Sequence, residues 1–159
     1  MNISRVGNKV LSVLVPFAFF LGGLGHAMAA EDAQTPATLA GAKIVAADEV
    51  KKMSDAKGAF FVDTRSPVNF GKGHVPGAVS IAYKEKSEKV ANFDASADKF
   101  DLSRLPADKN ARIVFYSDGP SGWKSYKAVV LTVNAGYKNV MYFRDGYSNW
   151  VSKGYPEEK

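Results

Sequence analysis

Short apolar runs alternate with amphipathic segments along most of this chain. The runs are Lys43–Val45, Ala59–Val62, Val79–Ile81, Ile113–Tyr116 and Val140–Phe143. Three of them are four apolar residues without a polar interruption, a pattern typical of strands that are buried on both faces of a parallel sheet. The pattern therefore predicts five short strands.

The segments between the runs predict helices. Asp48 is a suitable N-cap for a helix that continues through Ser54. Between residues 123 and 135 apolar side chains recur at i, i+3, i+4 and i+7, and Gly136 supplies a stop signal. This stripe consists of Tyr126, Val129, Val130 and Val133. A last short helix is predicted over residues 147–153, whereas residues 95–105 show only a modest apolar side. Strands that alternate with helices in this way predict an α/β three-layer sandwich around a mostly parallel five-stranded sheet.

The N-terminal residues follow the order of segments that is typical of a secretory signal peptide. Arg5 and Lys9 form a basic start, residues 10–24 are apolar apart from one serine, and Ala27–Ala29 offers small residues for cleavage. The alternative is a membrane anchor, but the apolar core is shorter than the ~20 residues that span a bilayer. Residues 1–29 are therefore the predicted signal peptide.

The predicted signal implies a periplasmic or secreted protein, with tethering through an uncleaved N-terminus as the alternative. No stable membrane insertion is expected once the signal is removed. Residues 30–42 are rich in Ala and Thr and show no apolar periodicity, so they predict a flexible leader. The folded domain is then expected over residues 43–159.

Composition excludes several classes of site and partner. Loss of residues 1–29 would remove two of 21 basic residues and none of 16 acidic ones, and the formal charge would fall from +5 to +3. The basic residues are spread along the chain, so no nucleic-acid partner is predicted. Because the chain has no cysteine, it forms no disulfide, and only His74 remains as a histidine outside the signal. No metal or other cofactor is predicted.

Several motifs together resemble a rhodanese-like domain. They are Asp63-Thr64-Arg65, Gly73–Ala78, Val114–Pro120 running into Trp123–Ala128, Gly136–Val140 and Gly146–Trp150. The resemblance covers about residues 43–156 and implies the α/β fold predicted above. It also implies a catalytic cysteine directly after the strand that ends at Tyr116. This chain has Ser117 at that position, and Gly122 where a subgroup of exported relatives has a second cysteine.

A strand that leads through a glycine-containing loop into a helix turns backbone N–H groups and the helix N-terminus toward the loop centre, and this geometry binds anions. A serine hydroxyl without an adjacent base stays protonated and cannot form a persulfide. Ser117 therefore occupies the position of the family's catalytic cysteine but lacks its thiol. Asp118 adds a repelling negative charge, and Lys124 keeps a positive one. Trp123 is a candidate wall of the pocket. The predicted anion-binding loop comprises Ser117, Asp118, Gly119, Pro120, Ser121, Gly122, Trp123, Lys124 and Ser125.

Three residues outside this loop are predicted to support it structurally. Asp63 and Arg65 end a buried strand, where Arg65 either binds an anion or holds its own loop, and the resemblance implies the second role. The family usually has a Glu where this chain has Asn69, so a charge partner of Arg65 is expected to be missing. His74 lies in a tight turn with glycines and a proline, which favours a structural role over that of a general base.

The expected function is a non-catalytic binding or partner-docking module that retains an anion-binding loop. Its expected partner is a small anion, such as sulfate or thiosulfate, or another protein. The alternative is a sulfurtransferase with residual or altered activity. Phosphatase-like chemistry ranks last because the related enzymes also use a cysteine.

Overall fold

The computed structural model describes residues 33–159 and contains one five-stranded sheet. The strands are β1 (Ala42–Ile44), β2 (Phe60–Asp63), β3 (Ala78–Ser80), β4 (Ile113–Tyr116) and β5 (Val140–Phe143). Their order across the sheet is β1-β5-β4-β2-β3, and every neighbouring pair is parallel. The predicted strands and sheet are confirmed, with bounds that shift by one residue in β1, β2 and β3.

Helices cover both faces of the sheet. They are α1 (Ala47–Asp55), α2 (Pro67–Lys72), α3 (Trp123–Asn134) and α4 (Gly146–Ser152). Helix α3 contributes Trp123, Tyr126 and Val129 to the core on one face. On the other face, α1 contributes Val50 and α4 contributes Trp150. The three-layer α/β sandwich predicted from the sequence is therefore confirmed.

Alternate residues of the central strands point to opposite cores. Val62 of β2 and Phe115 of β4 pack toward α3, whereas Val114 and Tyr116 of β4 pack toward α1 and α4. All four residues of β4 are buried. Because the two faces are both covered, the strands need uninterrupted apolar sequence, and this requirement explains the runs along the chain.

Helix α1 begins one residue before its predicted N-cap. Ala46 is the N-cap and makes no side-chain capping bond, so the prediction of Asp48 as the N-cap is wrong. Asp48 lies instead in the first turn and accepts hydrogen bonds from Lys153 and Tyr155. Hydrogen bonds from these two side chains lower the pKa of its carboxyl group. The residue therefore ties α1 to the C-terminal segment instead of capping the helix.

Helix α2 was not predicted, although its start carries two recognisable signals. The Ser66 side chain accepts a hydrogen bond from the backbone N–H of Asn69, and Pro67 occupies the first helical position. The ambiguous segment after residue 94 forms two short 3₁₀ turns, Ala95–Ala97 and Leu102–Arg104, and no longer helix.

A polar cluster anchors the segment that follows β3 to helix α3. Lys127 is completely buried, and its Nζ lies 2.8 Å from Glu85 Oε2 and donates to the Ser87 hydroxyl at 2.8 Å. Asp98 accepts further hydrogen bonds from the hydroxyl groups of Ser87 and Tyr83. Burial acts against the charge on Asp98, but these hydrogen bonds outweigh it and lower the pKa of the carboxyl group. The cluster fixes residues 83–98 along the first half of α3.

The N-terminal part of the described chain contacts the domain through one buried residue. The sequence predicts a flexible leader over residues 30–42; within its described part Thr35 is 2% exposed, whereas residues 33, 34, 37 and 38 are exposed. The last residue of the leader already belongs to β1. The predicted signal peptide lies outside the described residues. Within residues 33–159, every helix is too short or too polar to cross a membrane.

Candidate functional site

The carboxyl ends of β2 and β4 lie side by side, because Asp63 pairs with Tyr116 in the parallel register. The loop after β4 runs from Ser117 to Gly122, and α3 follows it directly. The Thr64 N–H and hydroxyl group both donate to the Tyr116 carbonyl at 3.0 Å, which joins the two strand ends. The structure thus places the loop after β4 beside the Asp63–Arg65 segment, at the edge of the sheet where parallel α/β folds bind ligands.

Carbonyl groups of the β4 loop are held from outside the loop. The Ser117 and Asp118 carbonyls accept from the N–H groups of Tyr147 and Ser148 at the start of α4, at 2.8 and 2.9 Å. The Pro120 carbonyl accepts from the Thr35 N–H at 2.8 Å. Each trans peptide points its N–H opposite to its C=O. The N–H groups of residues 118, 119 and 121 therefore point away from these partners, and no acceptor for them occurs within residues 33–159.

The N-terminus of α3 adds a second set of donors to the same loop. Gly122 is the N-cap residue, and the first turn of α3 contains no acidic side chain to neutralise the helix dipole. Lys124 instead places a positive charge there, half-buried in the first turn. Inside the loop, the N–H of Gly122 donates to the Gly119 carbonyl, and the Ser125 hydroxyl donates to the Gly122 carbonyl. The arrangement can attract an anion to the loop.

Ser117 is almost enclosed by its own loop. Its exposed fraction is 2%, and its hydroxyl has no hydrogen-bond partner among the described residues. Gly122 packs directly over it: a Cβ atom at residue 122 would lie 2.8 Å from Ser117 Cβ and 2.8 Å from the Gly119 carbonyl oxygen. Any side chain at position 122, including the second cysteine that the resemblance implies there, would force this loop to move.

Gly146 allows α4 to approach the loop. Its φ of +64° is in the left-handed region, and a Cβ atom there would lie 2.6 Å from the Ser117 carbonyl oxygen. The glycine therefore satisfies two requirements, a positive φ and a close contact with the loop backbone.

Arg65 is 4% exposed, and its Nε and Nη2 groups are paired with acceptors beside it. Its Nη2 lies 2.6 Å from Asp63 Oδ2 and donates to the Gly73 carbonyl at 2.7 Å. Burial disfavours the charged guanidinium, but the hydrogen bonds and charge of Asp63 outweigh it and raise the pKa of Arg65. The expectation that Arg65 lacks a charge partner is therefore wrong, because Asp63, two residues before it, takes the role assigned to residue 69.

Tyr147 was missed as a site residue. Its ring lies 3.9 Å from the guanidinium carbon of Arg65, and its hydroxyl donates to Glu157. Burial, followed by the Glu157 carboxylate, raises the pKa of Tyr147 to about 12. On the other side of Arg65, Nη1 lies 3.9 Å from a carboxylate oxygen of Asp118, whose side chain is 64% exposed. The Gly146-Tyr147 motif was a signal for this position, but it did not show what the aromatic ring contacts.

His74 is packed away from the loop chemistry. Its ring stacks on Phe70 with centroids 3.7 Å apart, and its Nδ1 lies 3.1 Å from the Phe70 carbonyl. Its backbone pairs with Glu158 in an isolated antiparallel bridge. Its described hydrogen bonds go to these residues and not to Ser117, so the arrangement gives Ser117 no base from this histidine.

Trp123 lies in the core and also contacts the leader. It is 4% exposed, its ring meets Tyr126 edge-on at 5.3 Å, and its Nε1 donates to the Ala33 carbonyl. Arg144 donates to the Thr35 carbonyl at 2.8 Å. We call residues 33–35 the strap, since they cross the β4 loop. Neither Thr35 nor Arg144 was predicted as a site residue, because no local pattern marks such a contact.

Within residues 33–159, no three His, Asp or Glu side chains converge so that they could hold an ion.

A family model described as the rhodanese-like domain matches residues 46–153. The chain belongs to the rhodanese-like family. The match includes both central strands, the β4 loop and α3.

Two curated proteins illustrate the relationship. Thiosulfate sulfurtransferase 16, chloroplastic, of Arabidopsis thaliana is 26% identical over 60% of this chain and 77% of its own length. A protein named sulfurtransferase from Allochromatium vinosum is 24% identical over 67% of this chain and 84% of its own length. Among solved structures, the Alr3790 protein from Anabaena sp. superposes with a TM-score of 0.53 at 24% identity, over 72% of this chain and 90% of that one. That structural likeness shows the shared fold.

Proposed function

We propose that this protein is an exported, non-catalytic member of the rhodanese-like family whose β4 loop binds a small oxyanion such as sulfate or thiosulfate. Export rests on the predicted signal peptide. The observation that carries the binding proposal is the loop itself, in which the N–H groups of residues 118, 119 and 121 have no acceptor within residues 33–159.

Loss of catalysis is supported by the chemistry of Ser117. Sulfur transfer in the family, as the resemblance implies, needs a thiolate that carries sulfur as a persulfide. A hydroxyl group cannot do so, and the described contacts of His74 do not provide a base for it. Burial of Ser117 beneath Gly122 further limits access by a substrate. The names of the curated relatives therefore suggest the ancestry of the loop more than its present activity.

Activity is tested by a thiosulfate:cyanide sulfurtransferase assay on the protein and on the Ser117→Cys variant. The control is Ser152→Cys, which places a thiol on the exposed end of α4. We expect turnover from Ser117→Cys alone. Turnover by the unaltered protein would overturn the non-catalytic proposal. Inactivity of all three would leave loss of catalysis supported and would show that the closed loop cannot use a thiol.

Anion binding is tested by thermal unfolding with increasing sulfate. Sulfate also stabilises folded proteins by exclusion from their surface, so the informative quantity is a difference between variants. Lys124→Ala should reduce the sulfate-dependent rise in Tm, whereas Lys138→Ala removes the same charge beyond the other end of α3 and should not. Equal responses of the protein and both variants would contradict a site at the β4 loop.

A further inference from the structure

We infer that Thr35 is a positioning residue for the β4 loop. The strap fixes the end of the proposed anion site that α4 does not contact. This inference rests on the proposed function for its ligand, but its structural part can be tested without any ligand. The two ends of the loop are held by different elements: α4 fastens residues 117 and 118, and the strap fastens residue 120.

Thr35 is buried within a segment that is otherwise mostly exposed. It is 2% exposed, whereas residues 33, 34, 37 and 38 are all exposed. Its N–H and its hydroxyl both donate to the Pro120 carbonyl, at 2.8 and 2.9 Å. Since the hydroxyl hydrogen goes to Pro120, the Tyr142 hydroxyl at 3.0 Å must be the donor in its contact with Thr35. One residue therefore directs two donors at one loop carbonyl.

Arg144 holds Thr35 from the other side. It directly follows β5, and its Nε and Nη2 donate to the Thr35 carbonyl at 3.2 and 2.8 Å. The N–H, carbonyl and hydroxyl groups of Thr35 are thus all engaged. A charged donor also strengthens a hydrogen bond relative to a neutral one. These contacts anchor the strap to the end of the sheet at β5.

The position that the strap holds is the one where the loop has least support of its own. Pro120 has no N–H and so offers the loop no donor of its own, and within residues 33–159 the peptide between residues 120 and 121 is held from outside through the Pro120 carbonyl. Pointing this carbonyl at Thr35 also fixes the Ser121 N–H of the same peptide, which points the opposite way. Without the strap, this peptide can rotate and the loop loses a donor of fixed direction.

The structural test is amide hydrogen exchange in the ligand-free protein. Thr35→Val removes the hydroxyl bonds and keeps the shape, and Arg144→Gln weakens the hold on the Thr35 carbonyl. Thr38→Val is the control, because Thr38 is exposed on the same segment. We expect the amides of Gly122 and Trp123 to exchange about five- to tenfold faster in the first two variants. Amides of β4 should keep their rates in all three.

Two results would overturn the inference. Unchanged exchange at Gly122 and Trp123, with faster exchange confined to Thr35, would show that the strap does not hold the loop. Equal acceleration in the loop and in β4 would assign Thr35 to global stability alone. A sulfate titration then tests the ligand part, where Thr35→Val should weaken binding about fivefold and Thr38→Val should not. If the unaltered protein binds no sulfate, the proposed function fails while the exchange result still decides the role of the strap.

Discussion

The loops after β2 and β4 lie side by side, yet they differ in how far their polar groups are paired by hydrogen bonds. After β2, Asp63 and Arg65 are buried and satisfy each other, with the Gly73 carbonyl taking a further donor. After β4, the carbonyls of residues 117, 118 and 120 are satisfied from outside the loop, and the N–H groups of residues 118, 119 and 121 lack an acceptor within residues 33–159. The first loop is therefore a structural support, and the second is where a ligand can still add hydrogen bonds.

The largest expected effect comes from breaking the buried pair after β2. Arg65→Met leaves Asp63 as an unpaired carboxylate with no solvent exposure and should lower the free energy of unfolding by about 3–5 kcal/mol. Urea denaturation measures this loss. Arg112→Met, on an exposed arginine that donates to the Gly58 carbonyl, should change stability by about 0.5 kcal/mol at most.

The double variant Asp63→Asn/Arg65→Met tests whether the loss of stability comes from the unpaired charge of Asp63. It should be more stable than Arg65→Met, because the buried charge is removed together with its partner. Equal losses for Arg65→Met and Arg112→Met would show that the first loop is not the support described above.

A smaller effect is expected where α4 meets the β4 loop. Gly146→Ala adds a Cβ 2.6 Å from the Ser117 carbonyl oxygen, and Gly154→Ala adds one with no atom within 4 Å. Both glycines have a positive φ, +64° and +68°, so both variants carry backbone strain. The difference between the two isolates the close approach, and we expect Gly146→Ala to be less stable by about 2 kcal/mol.

Urea denaturation again measures stability, and exchange of the Tyr147 and Ser148 amides reports on the loop contact. If the two glycine variants lose equal stability and these amides stay protected, contact with α4 does not hold the loop.

The smallest effect concerns the charge at the mouth of the β4 loop. Asp118 is exposed and repels an anion, so Asp118→Asn should tighten sulfate binding about threefold, as expected for a single solvated charge. Asp108→Asn removes the same charge at an exposed turn and should leave affinity unchanged. Isothermal titration at fixed ionic strength compares them. Weaker binding by Asp118→Asn would mean that this carboxylate orients the site instead of opposing it.

Local sequence predicted most of the fold. Strands β4 and β5 have the bounds that their apolar runs indicated, and α3 ends one residue before the predicted end. The physical reason is that a sheet covered on both faces demands uninterrupted apolar runs, which are visible in the sequence itself. Helix α2 escaped notice because it is short and contains a glycine, although Ser66 and Pro67 mark its start.

The candidate site was predictable only in part. The motifs located the β4 loop, but not the contacts that shape it. Thr35 and Pro120 lie 85 residues apart, and Lys127 and Ser87 lie 40 apart. Contacts over such sequence separations produce no periodic pattern. The burial of Lys127 in α3 and the contact of Thr35 with the β4 loop could therefore not be predicted from neighbouring residues. The partner of Arg65 was mistaken for a related reason, since the guanidinium folds back to Asp63 instead of reaching residue 69.

The pairing of β1 with β5 has a consequence for the order of folding. Within residues 33–159, the first strand of the sheet pairs with β5 alone, almost 100 positions later. The strap depends on Tyr142 and Arg144 in the same late region. A growing polypeptide that has not yet reached β5 can form neither contact, and closing so long a chain segment slows the final step. The earliest described residues are therefore among the last to find their places, and the site they cross is assembled only after β5 has joined the sheet.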